Sequence, residues 1–220
     1  MKQIIRSYAL FLIGLFIASM GVALSTKAGL GTSPVASVPY SISLINRTLT
    51  FGWWLNLWSV IQIVVQVALL RKKCKPMEII IQTILAFVYG YLTDFSCTLL
   101  SGVQANSYAI QFGLMILSCF VLGLGIWIQL KGNVAMLPGE AMNRAFSEVT
   151  GKRYENIKIF FDVLYIVAAV IISFLFIGKP EGVREGSIIA ALIVGTIIKI
   201  YNRLFEKLTK RGTVKAESIN

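Results

Sequence analysis

Histidine is absent from this chain of 220 residues. That one absence excludes imidazole metal sites, histidine general bases and Ser-His-Asp triads together. Cysteine is scarce, and Cys74, Cys97 and Cys119 share no close spacing, so the sequence writes neither a zinc site nor a disulfide framework. Charge is thin as well, at 14% of residues against about 25% in a soluble domain. No nucleophile stands at a base's spacing either, so neither an enzyme nor a cofactor is expected.

What the chain has instead is apolar length. It is 56% hydrophobic, with a mean hydropathy of +0.76. Ser7–Thr26, Thr48–Leu70 and Phe95–Leu130 carry no charge. About 20 helical residues cross the hydrocarbon core of a bilayer, about 30 Å thick. These features predict an integral membrane protein with six spans at about 8–26, 52–70, 78–98, 109–130, 157–177 and 186–205. The first run follows Lys2 and Arg6, as a signal peptide would. It exceeds a signal's apolar region of about 7–15 residues, and it is read as a retained span.

Two further segments, 34–45 and 138–148, are too short to cross. As helices they measure about 18 and 16 Å. The positive-inside bias arbitrates. With six spans and both short segments re-entrant, 17 of the 21 basic residues fall on the side of the two termini, and only Lys27, Arg47, Lys179 and Arg184 fall opposite. If both short segments crossed, the split would drop to 13 against 8. The expectation is therefore a bacterial cytoplasmic membrane protein with both termini cytoplasmic. The net charge of +11 reflects these orientation signals and a basic tail over 206–220, not nucleic-acid binding. The tail is expected to extend the last helix a turn or two and then fray.

The chain carries one loop pattern twice. Residues 27–34 read Lys-Ala-Gly-Leu-Gly-Thr-Ser-Pro, and 131–138 read Lys-Gly-Asn-Val-Ala-Met-Leu-Pro. An ungapped offset of 104 also pairs Leu10 with Leu114, Phe16 with Phe120, Gly21 with Gly125 and Ser43 with Ser147. An offset of 105 pairs Ala86 with Ala191 and Gly90 with Gly195. The fold class expected is all-α: two inverted three-helix repeats, 1–105 and 106–205, each with a short re-entrant half-helix after its first span.

The candidate site follows from the half-helix starts. Thr32-Ser33-Pro34 reads as a helix start, with a hydroxyl cap and proline in the first position, and Gly29 and Gly31 permit unusual backbone before it. A helix that starts inside a membrane aims its N–H groups and positive dipole end inward. The second start, Pro138-Gly139-Glu140, puts an acid in the first turn. There it either caps its own helix or takes a proton or a cationic group. Arg144, at i+4, is the expected partner of Glu140. The predicted substrate-binding set is Gly31, Thr32, Ser33, Pro34, Pro138, Gly139 and Glu140, with Glu140, Arg144 and Asp162 as a coupling or charge set. Asp162 reads equally as functional or structural, and Asp94 as an interface anchor. Gln62 and Gln66 share a face and are expected to bond between helices. Phe51, Trp53, Trp54 and Trp58 read as a membrane-boundary belt, Lys27 and Lys131 as snorkelling cations, and Gly90, Ala190, Ala191 and Gly195 as packing residues.

The run Gly29-Leu30-Gly31-Thr32-Ser33-Pro34 followed by a short polar helix resembles the YczE/YyaS/YitT family of bacterial multi-pass membrane proteins. Pro138-Gly139-Glu140, Asp162 and the small residues around Gly90 and Gly195 reinforce the likeness, which covers about residues 5–205. It implies an inner-membrane protein of mostly unassigned role. Family members often carry an aromatic and an acidic residue after the first proline, where this chain has Val35 and Ala36. The resemblance therefore carries no substrate across. Longer members look as if they carry an additional soluble C-terminal domain, for which this chain ends too soon.

The leading functional expectation is a secondary transporter or channel for a small carboxylate-bearing or zwitterionic solute, held between the half-helix starts. The alternatives are a substrate-capturing membrane subunit of a larger importer and a non-transporting scaffold or regulator. Expected partners are the lipid bilayer, the solute and a second copy of the chain.

Overall fold

The computed structural model describes residues 2–132 and 134–217. Among these the chain forms eight α-helices and no strand, apart from one isolated bridge between Gly31 and Val183. The helices are α1 (Lys2–Ala28), α2 (Pro34–Ile45), α3 (Phe51–Leu70), α4 (Pro76–Leu99), α5 (Tyr108–Gly132), α6 (Pro138–Thr150), α7 (Tyr154–Ile177) and α8 (Glu185–Glu217).

Proline opens α2, α4 and α6, where a missing N–H costs nothing. The Thr50 hydroxyl accepts the Trp53 N–H and caps α3. Gly151 and Gly178 end α6 and α7 at φ of 68° and 79°. The last helix continues to Glu217, farther than the turn or two expected beyond residue 205. The expected fraying falls partly on residues 218–220, which lie outside the described residues.

Among the described residues, six helices are long and apolar enough to cross a membrane: Ile5–Ala28, Phe51–Leu70, Pro76–Leu99, Tyr108–Gly132, Tyr154–Ile177 and Glu185–Glu206. Their outward faces carry large apolar side chains. Leu175 is 75% exposed and Leu192 72%. Water would not tolerate so much apolar surface, whereas acyl chains do. The protein is an integral, multi-pass membrane protein.

At the centre, α1 and α5 cross antiparallel, Ser7 lying by Gly132 and Gly21 by Leu122. A Cβ on Gly125 would fall 2.3 Å from the Ala18 nitrogen, and one on Gly21 would fall 2.5 Å from the Leu122 nitrogen. Only glycine lets these backbones touch. α4 lies along α1, where the Ser19 and Ser96 hydroxyls meet at 3.0 Å, and packs on α3 where Gly52 meets Gly90. α2 packs on α7, and α6 packs on α3. α8 packs on α5 and reaches α2, but does not run along α7. Ala191 and Gly195 are accordingly exposed, and a Cβ on Gly195 would meet nothing within 4 Å. The packing role expected of these two is not seen, while Gly90 and Ala190 fulfil it.

These contacts give the bundle two ends. Lys27, Arg47, Lys179 and Arg184 share one, the Arg47 end. The start of α1, residues 71–75 and 151–153, and the later part of α8 share the other, the Lys152 end.

Candidate functional site

The Gly29–Ser33 segment is unwound because other backbone occupies the space a helix would need. Gly29 and Gly31 take φ of 69° and 95°, values that side chains resist. Gly31 pairs with Val183, the Gly186 N–H donates to the Leu30 carbonyl at 2.9 Å, and Arg184 Nη1 donates to the Gly29 carbonyl at 3.2 Å. A Cβ on Gly31 would strike the Ser187 hydroxyl. The chain then dips inward. Thr32 is fully buried, and its hydroxyl meets Ser25 of α1 at 2.8 Å. Ala36, in the first turn of α2, packs level with Ala18 and Val22 of α1. At the other end of α2, the Asn46 carbonyl accepts the Trp54 indole N–H at the Arg47 end.

Ser33 stands at the N-cap position, but its hydroxyl makes no cap bond. Thr32 spends its hydroxyl on α1. The hydroxyl cap read from Thr32-Ser33-Pro34 is therefore not formed. Leu137, the matching N-cap of α6, has no side chain that could cap. Both short helices thus start without a side-chain cap, at the end where a helix leaves amides without internal partners.

The two starts meet. The missing Cβ of Gly139 would lie 3.3 Å from Val35 Cγ1 and 3.4–3.6 Å from the Gln62 amide. Gln62, buried on α3, donates from Nε2 to the Tyr165 hydroxyl of α7 at 3.3 Å. The Ser37 hydroxyl of α2 donates to the Tyr165 and Pro34 carbonyls. Trp58 sets its ring edge-on to Tyr165 at 5.7 Å, and its indole N–H is buried without a partner. Trp58 is thus a wall of this junction and not part of a boundary belt. Trp53, 39% exposed and edge-on to Tyr91 at 6.1 Å, does sit at the surface. Gln66 bonds Gln82 of α4 at 3.0 Å, so both glutamines join helices as expected.

Charge gathers beside the junction. Lys158 and Asp162 on α7 pair at 3.2 Å, and the second Asp162 oxygen is buried without a partner. Glu140, half-buried on α6, feels both. Burial pushes its carboxyl above the usual value of 4.5; Lys158 pulls it back down and Asp162 pushes it further up. Arg144 is not its partner. The guanidinium turns outward to Glu148 at 3.4 Å, and both groups are exposed. The i+4 spacing offered Arg144 two acids, and the face of α6 decided between them. The cation that acts on Glu140 comes from α7, and Lys158–Asp162 at i, i+4 was the overlooked signal for it.

Asp94 is structural. Its carboxylate accepts from the Gly52 N–H at 2.7 Å and from the Thr50 hydroxyl, closing the start of α3 from the end of α4. Lys131 lies over the Trp127 and Phe205 rings, away from the junction. At the Arg47 end, a cavity of about 430 Å³ is lined by Gly29, Tyr40, Leu44, Lys179, Pro180, Glu181 and Arg184.

The junction brings together two helix starts, an amide and a phenol, with Glu140, Lys158 and Asp162 beside it. Comparison with known proteins supplies relatives but no activity. The chain is 28% identical over 205 residues to the uncharacterized protein YyaS of Bacillus subtilis (strain 168), covering 91% of this chain and 94% of YyaS. No solved structure matches it. A family model matches residues 5–203, which take in five crossing helices and nearly all of the sixth, the junction and the charge group, and the chain belongs to that family, the family of unknown function DUF6198.

Proposed function

We propose that this protein is a secondary transporter or channel for a small solute, bound where the starts of α2 and α6 face each other. The observation that carries the reading is the contact of Val35 with Gly139 beside the Gln62–Tyr165 bond. Two short helices that begin in the protein interior and return toward opposite ends are the usual construction of a midplane solute site. On this reading α2 and α6 are re-entrant, and the halves 1–105 and 106–205 are inverted repeats. The α1–α5 crossing supports the repeat: Gly21 touches Leu122 and Ala18 touches Gly125, and each contact becomes the other under an offset of 104.

The positive dipole ends suit a carboxylate, and Glu140 with Asp162 suits an ammonium or a proton, so the solute class is a carboxylate-bearing or zwitterionic molecule. Lys158 balances one of the two acids. The Lys152 end is cytoplasmic by its excess of Lys and Arg, and the membrane is the bacterial plasma membrane.

The test is thermal stabilisation of the purified protein across amino acids, organic acids and amines, followed by uptake into proteoliposomes. A ligand should raise the unfolding temperature of the native chain and not that of Gln62→Leu. Uptake of that ligand should collapse in Glu140→Gln. A set of such solutes that neither stabilises the protein nor enters the vesicles sinks the reading. An ATPase that co-purifies and is needed for uptake would make the chain an importer subunit.

A further inference from the structure

Nearly every helix contact has a twin. α2 on α7 answers α6 on α3, α1 with α4 answers α5 with α8, and α2 with α3 answers α6 with α7. Among the described residues, one close contact has none. α3 and α4 pack closely, while α7 and α8 stand apart.

The missing contact is written in the side chains. Gln62 and Tyr165 are each the twelfth residue of their helices, which fixes the α3-to-α7 offset at 103. The small-residue pairs fix the α4-to-α8 offset at 105. The α3–α4 contact is made by Gly52 and Asn56 against Gly90 and Asp94, with Gly90 against the Asn56 amide and Asp94 bonded to the Gly52 N–H. Translated by these offsets, those residues become Glu155 and Ile159 on α7, and Gly195 and Lys199 on α8. Ile159 is 63% exposed, Gly195 meets nothing, and Glu155 and Lys199 are exposed on the surface. The translated surfaces are complementary: a bulky apolar residue faces a glycine, and an acid faces a base.

The existing contact carries a matching sign of impermanence. Both polar atoms of the Asn56 amide are buried there without a partner. A buried amide left unpaired favours any arrangement that wets it.

We propose that the chain alternates between the present arrangement and a second one, in which α8 closes on α7 through Ile159–Gly195 and Glu155–Lys199 while α4 leaves α3. This rests on the transport reading above and adds its gates. The present arrangement is latched at the Arg47 end, where Asp94 ties α4 to the start of α3 and the 178–184 segment lies over Gly31 and Ser41. It is unlatched at the Lys152 end, where Glu155 and Lys199 remain apart. Closing α8 on α7 draws on the 178–184 segment that joins them, lifts it from Gly31 and Ser41, and deepens the cavity beneath Tyr40, Lys179 and Arg184. The two latches exclude each other, and the solute meets one side at a time.

Cysteine cross-linking in native membranes tests this without a solute. Cys74, Cys97 and Cys119 are replaced by Ser in the full chain. The pairs Thr50→Cys/Asp94→Cys and Ile159→Cys/Gly195→Cys are then oxidised with copper phenanthroline. Each pair should cross-link alone, and in the four-cysteine chain formation of one bond should suppress the other. Glu155→Lys should slow the α7–α8 bond by roughly two- to fivefold, and adding Lys199→Glu should restore it, which separates a closing contact from a misfolded variant. An α7–α8 pair that never cross-links while the α3–α4 pair goes to completion overturns the proposal. So does a chain that carries both bonds at once. Mutual exclusion in a protein that no solute of the stability and uptake screens binds or crosses would uphold the motion and discard transport. Bound and transported solute without α7–α8 closure would do the reverse.

Discussion

Gln62 and Tyr165 are 103 residues apart in sequence and bonded at 3.3 Å, each the twelfth residue of its helix. The bond joins α3 to α7 beside the place where α2 and α6 begin. With the Ser37 hydroxyl on the Tyr165 carbonyl, also at 3.3 Å, it ties the halves at the proposed solute site, so its removal should be felt in both stability and binding.

Tyr165→Phe strands the buried Gln62 amide donor and should cost about 1–3 kcal/mol, the desolvation penalty of an unpaired group. Gln62→Leu, which removes the donor, should cost about 1 kcal/mol. The double variant Gln62→Leu/Tyr165→Phe should be more stable than Tyr165→Phe alone, because no polar group is then left unpaired. Thermal unfolding of the four proteins in one detergent checks the cycle. Strictly additive losses would mean that the two side chains do not interact.

Glu140 sets a pH dependence of definite sign. Its folded carboxyl lies above the ordinary value of 4.5, chiefly because it is buried, so the folded chain holds this proton more tightly than the unfolded chain. Its contribution to stability is complete below about 4.5 and is lost as pH rises through the higher folded value. Glu140→Gln should lack that loss, and its melting temperature should change less between acid and neutral pH. Arg144→Gln should leave the native pH response in place and alter stability by less than about 0.5 kcal/mol, since Arg144 meets Glu148 only at the surface. Paired pH titrations of melting temperature decide between them.

The α1–α5 crossing should admit no side chain. A Cβ on Gly125 would lie within 2.7 Å of both Ala18 Cα and the Gly14 carbonyl, so Gly125→Val must push backbone apart. A loss beyond the usual overpacking range of about 1–3 kcal/mol is expected, read as loss of a monodisperse protein on size exclusion. Gly113→Ala, on the same helix with nothing within 4 Å, should elute as the native chain does.

Asp94→Ala removes two bonds from the start of α3 and should cost about 1–2 kcal/mol, the range of a lost helix cap. Thermal unfolding measures it. A loss of solute binding with no loss of stability would instead place Asp94 among the functional residues.

Much of this architecture was legible in the chain. Six apolar runs gave six crossing helices because nothing else satisfies backbone in hydrocarbon, and Pro34 and Pro138 marked the short helix starts because proline fits the first helical position. The illegible part is long-range or depends on the face of a helix. Spacing paired Glu140 with Arg144, but the α6 surface turned Arg144 to Glu148 and brought Lys158 across from α7. Composition placed Trp58 with its neighbours in a boundary belt, although two turns of helix carry it inward to Tyr165. Ser33 had the chemistry of a cap and not its geometry. The repeat in the sequence treated α4 and α8 alike, and only the packing separates them.

The backbone pairing of Gly31 with Val183, and of Leu30 with Gly186, has a consequence for synthesis. When the ribosome has delivered residues 1–105, the bent segment ahead of α2 still lacks the strand-like stretch that holds it. About 80 more residues must enter the bilayer before the Leu30 carbonyl finds its donor. The N-terminal half is inserted early but finished last, and a nascent chain stalled before α8 holds a provisional α2.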